Sequence, residues 1–377
     1  MKMFKTLVAG ACLLVGSAAQ AEITIGAVLP LTGPASGLGI PSKNALALWP
    51  KTIAGEPIKL IVLDDATDPS TGAKNARRLV SENQVDLIVG SVATPVAVAI
   101  ADVALETQTP QFALSPAELP PGKDAWTFRA TNANAVMAHA VVGHMKKQGV
   151  RTVAFIGYND TYGESWLKEL RAATQPAGIT VTTVERFART DTSVTAQALR
   201  VTAGNPDAIF VVASGSGAAM PQLAIEERGY KGKVYQSQSA ATRDLMRIGG
   251  KSVEGTFVVS GPAVAPEQLP ATHPSKAVAL GFVQAYEQLY GANSRNLFAA
   301  DNFGITLILE KALPEALKKA KPGTPEFRAA LKAAVEAIGP VLVPQGVVKY
   351  SATDHWGFQP GGGVVLKVVG GDWKVEP

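Results

Sequence analysis

The 377-residue sequence predicts an α/β protein of two lobes, each a parallel-rich sheet covered by helices. Short β-branched runs alternate with longer amphipathic segments, the pattern that strands make when crossover helices join them. The same rhythm restarts after residue 135. The chain is also longer than one hydrophobic core usually fills, which favours two lobes over one.

In the first half Ile23 to Leu29, Ile58 to Leu63, Asp86 to Val89 and Gln111 to Leu114 read as buried strands. A helix between two of them takes Asp68 as its cap and Pro69 as its first residue, where the missing N–H costs nothing, and Ala73, Ala76 and Val80 then share one face. In the second half strands fall at Thr152 to Ile156, Ile179 to Val184, Ala208 to Val212 and Lys233 to Gln236. Helices cover Tyr162 to Ala173, Thr195 to Thr202 and Ala218 to Arg228. A Pro-rich stretch from Gly261 to Pro274 leads to three more helices, near Lys276 to Tyr290, Leu297 to Ala320 and Pro325 to Ile338. Short β segments close the chain at Gly346 to Tyr350, Val364 to Val369 and Trp373 to Val375. A run of helices after the second α/β half implies a return to the first lobe, so that each lobe is discontinuous and several crossings form a hinge. The expected division is 22–133 plus 262–343 for lobe 1 and 134–261 plus 344–377 for lobe 2.

Residues 1–21 read as an export signal. Lys2 and Lys5 start it, Thr6 to Val15 is nearly all apolar, and Ala19-Gln20-Ala21 fits a cleavage site. Cys12 stands inside that segment, where lipid attachment is the less favoured alternative, and cleavage after Ala21 leaves a chain without cysteine and hence without disulfide or thiolate chemistry. The formal net charge of +4 falls by two with the leader, and no dense run of Lys and Arg remains. Nucleic acid is therefore excluded as a partner.

Enzyme and metal motifs fail on their own spacing. Gly249-Gly250-Lys251-Ser252 ends like a phosphate loop, but Leu245 occupies the required first glycine position. Gly215-Ser216-Gly217 lies between a strand and a helix, yet Met220 stands where a dinucleotide fingerprint needs a third glycine. His139, His144, His273 and His355 make no metal-binding pair and are expected to be solvated or capping. Asp64, Asp65 and Asp68 read as a strand end and a helix cap rather than a cation site. No G-x-S-x-G elbow is present. No cofactor, metal or catalytic residue is expected.

What remains is a series of strand ends that lead into helices through small polar residues. In an open α/β sheet ligands sit beyond the carboxyl ends of the strands, where helix starts offer free N–H groups to an anion. Ser91 and Thr94, before Val96 to Leu105, supply such donors, and Ser91 either caps its helix or binds. Ser115-Pro116-Ala117 ends the next strand in the same way.

These segments together resemble the leucine/isoleucine/valine-binding type of periplasmic solute-binding protein. The carrying pieces are Ile25-Gly26-Ala27-Val28-Leu29-Pro30-Leu31-Thr32-Gly33-Pro34, Asp64-Asp65 with Asp68-Pro69, Ile88-Val89-Gly90, Leu114-Ser115-Pro116-Ala117 and Asp160-Thr161-Tyr162-Gly163. The resemblance spans the chain after the leader. It implies the type I fold, two Rossmann-like lobes joined by three hinge crossovers, with a ligand enclosed between them and handed to an inner-membrane permease of an ABC importer. It places the ligand carboxylate at Thr94, backbone contacts at Ser115, Ala117 and Leu119, a closing aromatic at Tyr162 and a wall residue at Leu38.

The departures from that pattern bear on the ligand. Where relatives hold the ammonium of an α-amino acid with acids, this sequence has Gln238 and Asn134, and a desolvated ammonium without a carboxylate is costly. Glu118 or Asp160 keep an amino-acid ligand open. Residues 213–221 and 350–355 resemble the branch that takes aromatic or other organic carboxylates, with Ser214, Ser216 and Gln238 as hydrogen-bonding groups, although the Gly-Ser run also reads as a plain turn. The expectation is a monomeric periplasmic capture protein for a small carboxylate, with an amino-acid ligand or a sensing role as alternatives.

Overall fold

The computed structural model describes residues 22–377. The expected leader with Cys12 lies outside the described residues.

The first sheet is assembled from β1 (Ile23–Leu29), β2 (Thr52–Ile53), β3 (Glu56–Asp64), β4 (Leu87–Gly90), β5 (Gln111–Ala113) and β6 (Thr127–Arg129), with α1 (Ser36–Ala45), α2 (Pro69–Ser81) and α3 (Thr94–Thr107) between them. Its strand order is β2-β3-β1-β4-β5-β6, parallel except at the β2–β3 edge. β1 lies in the middle because nearly all of it is apolar on both faces: Ile25 pairs with Leu60 on one side and Leu87 on the other.

The second sheet follows α4 (Asn134–Lys147). It takes β7 (Thr152–Tyr158), β8 (Thr180–Phe187), β9 (Ala208–Val212), β10 (Lys233–Gln236) and β11 (Phe257–Ser260), spaced by α5 (Thr161–Ala177), α6 (Thr195–Ala203), α7 (Ala219–Glu227) and α8 (Arg243–Gly249). The chain then runs through α9 (Lys276–Tyr290), α10 (Leu297–Leu317) and α11 (Pro325–Ala337), forms a small pair from β12 (Val341–Val343) and β13 (Gly346–Val348), and ends in β14 (Val364–Val369) and β15 (Asp372–Glu376). The order of the second sheet is β15-β14-β11-β10-β9-β7-β8, parallel apart from the last two strands.

The expected α/β architecture in two lobes is what the structure shows. Because β14 and β15 pair with β11 while α10 packs on α1, the path crosses between lobes after β6, after β11 and after β13. The last crossing is held where Tyr350 packs 5.1 Å from the Phe128 ring and donates its hydroxyl to the Arg129 carbonyl.

Local signals explain most helix starts. Asp68 accepts the Thr71 amide and caps α2, Asp160 accepts the Tyr162 and Gly163 amides at α5, and Asn296 and Thr324 do the same for α10 and α11. Several elements were not expected. α1 carries Gly37, Gly39 and Pro41, which hide its periodicity, and Gly39 is there because a Cβ would fall 2.0 Å from the Pro30 carbonyl oxygen. Short buried strands such as β6 and β11 have no periodicity to read.

Candidate functional site

The parallel strands of both sheets point their carboxyl ends at one cleft, and its lining comes from the loops that follow them. From the first lobe come Leu38, Val92, Thr94, Leu114, Ser115, Pro116, Thr131, Leu297 and Phe298; from the second come Tyr162, Arg189, Ser214, Gln238 and Ser239. The free space between these side chains is only about 10 Å³, far below the range for ligand sites, so the lobes have to part to admit a ligand.

On the first-lobe side β4 delivers the chain to α3. Ala93 stands at the cap position and no side chain caps the helix; Pro95 has no N–H and the Val96 and Ala97 amides donate to the Ala93 carbonyl, so the Thr94 amide and the positive dipole end are what is left for another acceptor. β5 delivers Ser115, which is 1 % exposed and whose hydroxyl has no partner among the described residues. A buried hydroxyl without a partner loses its hydration for nothing unless a ligand supplies one.

The second-lobe side is differently built. Tyr162, in the first turn of α5, donates its hydroxyl to Ser237 at 3.0 Å, and burial raises its pKa. Gln238 donates its amide to Asn134 at 3.1 Å, and Asn134 donates to Ser165 at 2.9 Å. Arg189, in the loop after β8, donates Nε to Asp160 at 2.6 Å and one Nη to Ser214 at 3.1 Å. Its guanidinium lies 4.1 Å from the Tyr158 ring centroid. The lobes meet where Gly215, at φ +51°, leaves room for Leu38: a Cβ there would stand 3.1 Å from Leu38 Cδ1.

Of the residues singled out from sequence, Leu38, Thr94, Ser115, Tyr162, Ser214 and Gln238 are brought together in the lining. Ser91 lies behind it, fully buried, its hydroxyl accepting the Ala93 amide at 3.1 Å. Ala117 is buried with its carbonyl accepting from Arg129, Asn134 stands one hydrogen bond behind Gln238, and Ser216 is exposed. Leu119 lines a separate flank hollow together with Glu118, Asn134 and Trp356.

The two acids that kept an ammonium possible are occupied. Glu118 stands in that flank hollow, accepting from Ser165 at 2.8 Å and Lys168 at 2.9 Å. Asp160 caps α5 and pairs with Arg189. Asp301, three residues beyond Phe298 on α10, is buried and held well above the ordinary carboxylate pKa by desolvation, and it does not reach the lining.

Sequence reasoning missed Arg189. Its position two residues beyond β8 is the available signal, since β7, β8, β9 and β10 all end at the cleft. It also misplaced two histidines. His144 is buried beside Tyr235, 3.1 Å from its hydroxyl, and His355 is buried between Glu336 and the Asp124 carbonyl, so neither is solvated nor a cap. The Asp64, Asp65 and Asp68 carboxylates accept backbone amides of Leu31, Ala66, Thr67 and Thr71. Among the described residues no group of three or more His, Cys, Asp or Glu is arranged to hold a metal ion, and no helix is long and apolar enough to cross a membrane.

Two lobes of this topology with a shared cleft match the family model described as periplasmic binding protein, over residues 22–370. The chain belongs to the periplasmic binding protein family. A relative in Brucella melitensis, named Leu/Ile/Val-binding protein homolog 3, is 26% identical over 271 residues, covering 68% of this chain and 72% of that protein. An extracellular ligand-binding receptor from Rhodopseudomonas palustris is 44% identical with a TM-score of 0.92, over 94% of this chain and 99% of that one. A solute-binding protein of an ABC transporter from R. palustris, solved in complex with benzoate, shares the fold at 18% identity and a TM-score of 0.77, over 94% of this chain and 95% of that one. Proteins of this periplasmic binding family bind substrates.

Proposed function

We propose that this chain is the periplasmic substrate-binding subunit of an ABC importer, that it captures a small aromatic or aliphatic carboxylate between its lobes, and that it delivers the solute unchanged to an inner-membrane permease. The carrying observation is the unpartnered, buried Ser115 hydroxyl beside the uncapped start of α3. A carboxylate supplies both with the acceptors they lack. The cleft lining contains no acid, and its one formal charge is that of Arg189. An α-ammonium desolvated here would have no partner of opposite charge.

In this reading residues 22–133 with 262–343 form the capturing lobe and 134–261 with 344–377 the closing lobe, in a monomer exported by its leader. Thr94 and Ser115 hold the carboxylate, Leu38, Leu297 and Phe298 meet the apolar body, and Tyr162, Ser214 and Gln238 close over it. Ser91, Ala117 and Asn134 position those contacts from behind, and Ser216 stands at the rim. The benzoate-bound protein of the same fold supports the reading. The names of the Brucella relatives, Leu/Ile/Val-binding protein homologs, favour a second one, a branched-chain amino acid as ligand.

Thermal-shift assays on refolded, ligand-stripped protein separate the two, since a ligand that binds the native state alone raises its melting temperature. The expected result is a rise with carboxylates lacking an amine. A rise with leucine, isoleucine or valine alone refutes the carboxylate reading.

A further inference from the structure

Both lobes bring polar residues to the cleft, and its aliphatic residues come from the first lobe. Thr94 and Ser115 stand on one side, Arg189, Ser214 and Gln238 on the other, and Leu38, Leu114, Leu297 and Phe298 among them. If the carboxylate occupies the α3 side, the far end of the solute meets the second lobe. Most polar groups there are already paired with neighbours: Tyr162 with Ser237, Gln238 with Asn134.

Arg189 is the exception. Asp160 takes its Nε and Ser214 takes one Nη, which leaves the other Nη without a partner among the described residues, in a side chain only 13% exposed. The group is also fixed rather than free to swing away, because it stacks on Tyr158 and is tied to the residue that caps α5. A guanidinium held in this way presents its remaining N–H groups in one orientation. Its charge is already balanced by Asp160, so the pair favours a neutral oxygen over a second anion.

We propose that Arg189 reads an oxygen acceptor at the end of the ligand remote from its carboxylate, so that the preferred solute is a carboxylate with an apolar middle and a neutral hydroxyl, ether or carbonyl oxygen at its far end. The inference rests on the carboxylate reading above and assigns Arg189 as the residue that discriminates among carboxylates.

Titration calorimetry with matched probes tests it: benzoate against 4-hydroxybenzoate, and 3-phenylpropanoate against 3-(4-hydroxyphenyl)propanoate, two lengths of the same design. In the unmodified protein the hydroxylated member of at least one pair should bind about tenfold tighter, the effect of one charge-assisted hydrogen bond. In the double variant Arg189→Gln with Asp160→Asn, which keeps a cap on α5 and removes both charges together, that preference should shrink to within about threefold. Arg189→Lys, which retains the charge but not the fork, should lose the preference as well, and a melting curve establishes that each variant is folded. Equal binding of both pair members by the unmodified protein overturns the inference and leaves the carboxylate reading standing. A preference that survives in either folded variant also overturns it. Silence toward all four carboxylates overturns the carboxylate reading itself.

Discussion

The two sides of the cleft use opposite strategies. The first lobe presents donors that lack partners: an uncapped helix start at α3 and the buried Ser115 hydroxyl. The second lobe presents groups that largely satisfy one another, through Tyr162 with Ser237, Gln238 with Asn134, and Arg189 with Asp160 and Ser214. Unpaired buried donors carry a desolvation penalty that an incoming acceptor relieves, whereas a self-paired network has already offset most of its own. On the proposed carboxylate reading the difference implies an order, with capture of the charged end by the first lobe and closure by the second over a ligand already held. Closure then rests on contacts that exist only in the shut state, as a population shift requires.

The sharpest way to break this asymmetry is to change the sign of the capturing side. Ser115→Asp should weaken carboxylate binding by about a hundredfold or more in titration calorimetry, because a buried anion then faces the ligand's own charge. Ser115→Ala should cost about tenfold in affinity and leave the ligand-free melting temperature unchanged or higher, since the hydroxyl it removes has no partner to lose. A fall in ligand-free stability would mean that Ser115 is satisfied within the protein.

A smaller effect is expected on the closing side. Gln238→Glu should reduce carboxylate affinity by roughly three- to tenfold, the size of a partly screened like-charge contact, and should not create leucine binding, because the pocket lacks the rest of an ammonium site. Tight leucine binding by that variant would show that the single amide had set the ligand class.

The smallest effect on binding should come from behind the capturing lobe. Burial pushes the Asp65 carboxyl up to about 6, although it accepts the Thr67 amide. A carboxyl raised in the folded state holds its proton there while the unfolded chain loses it, so stability falls as pH rises from about 4 to about 6. Asp65→Asn keeps the acceptor and removes the titration. Its melting temperature relative to the unmodified protein should be higher at pH 7 than at pH 4, with ligand affinity unchanged.

Much of the architecture is legible in the residues themselves. The edges of β1, β9, β10, β14 and α9 fall where alternation and flanking polar residues put them, and Asp68-Pro69 marks the start of α2. The cleft is legible where strand ends carry small hydroxyl residues, as at Thr94, Ser115 and Ser214. Arg189 is not, because its place in the lining depends on the pairing with Asp160, set by β7 and β8 lying side by side. Leu297 and Phe298 enter from α10, far along the chain, through a lobe crossing that fixes distance only in three dimensions. His144 and His355 owe their burial to β10 and α11, contacts of high sequence separation that no local pattern encodes.

The central claim is that this cleft takes the carboxylate and rejects the α-ammonium. Titration calorimetry of the ligand-stripped protein with pairs that differ only by the amine, 4-methylpentanoate against leucine and 3-phenylpropanoate against phenylalanine, tests it most directly. The account predicts binding of an amine-free member and no measurable heat from its amino-acid counterpart. Leucine or phenylalanine binding more tightly than the matched acid would contradict it.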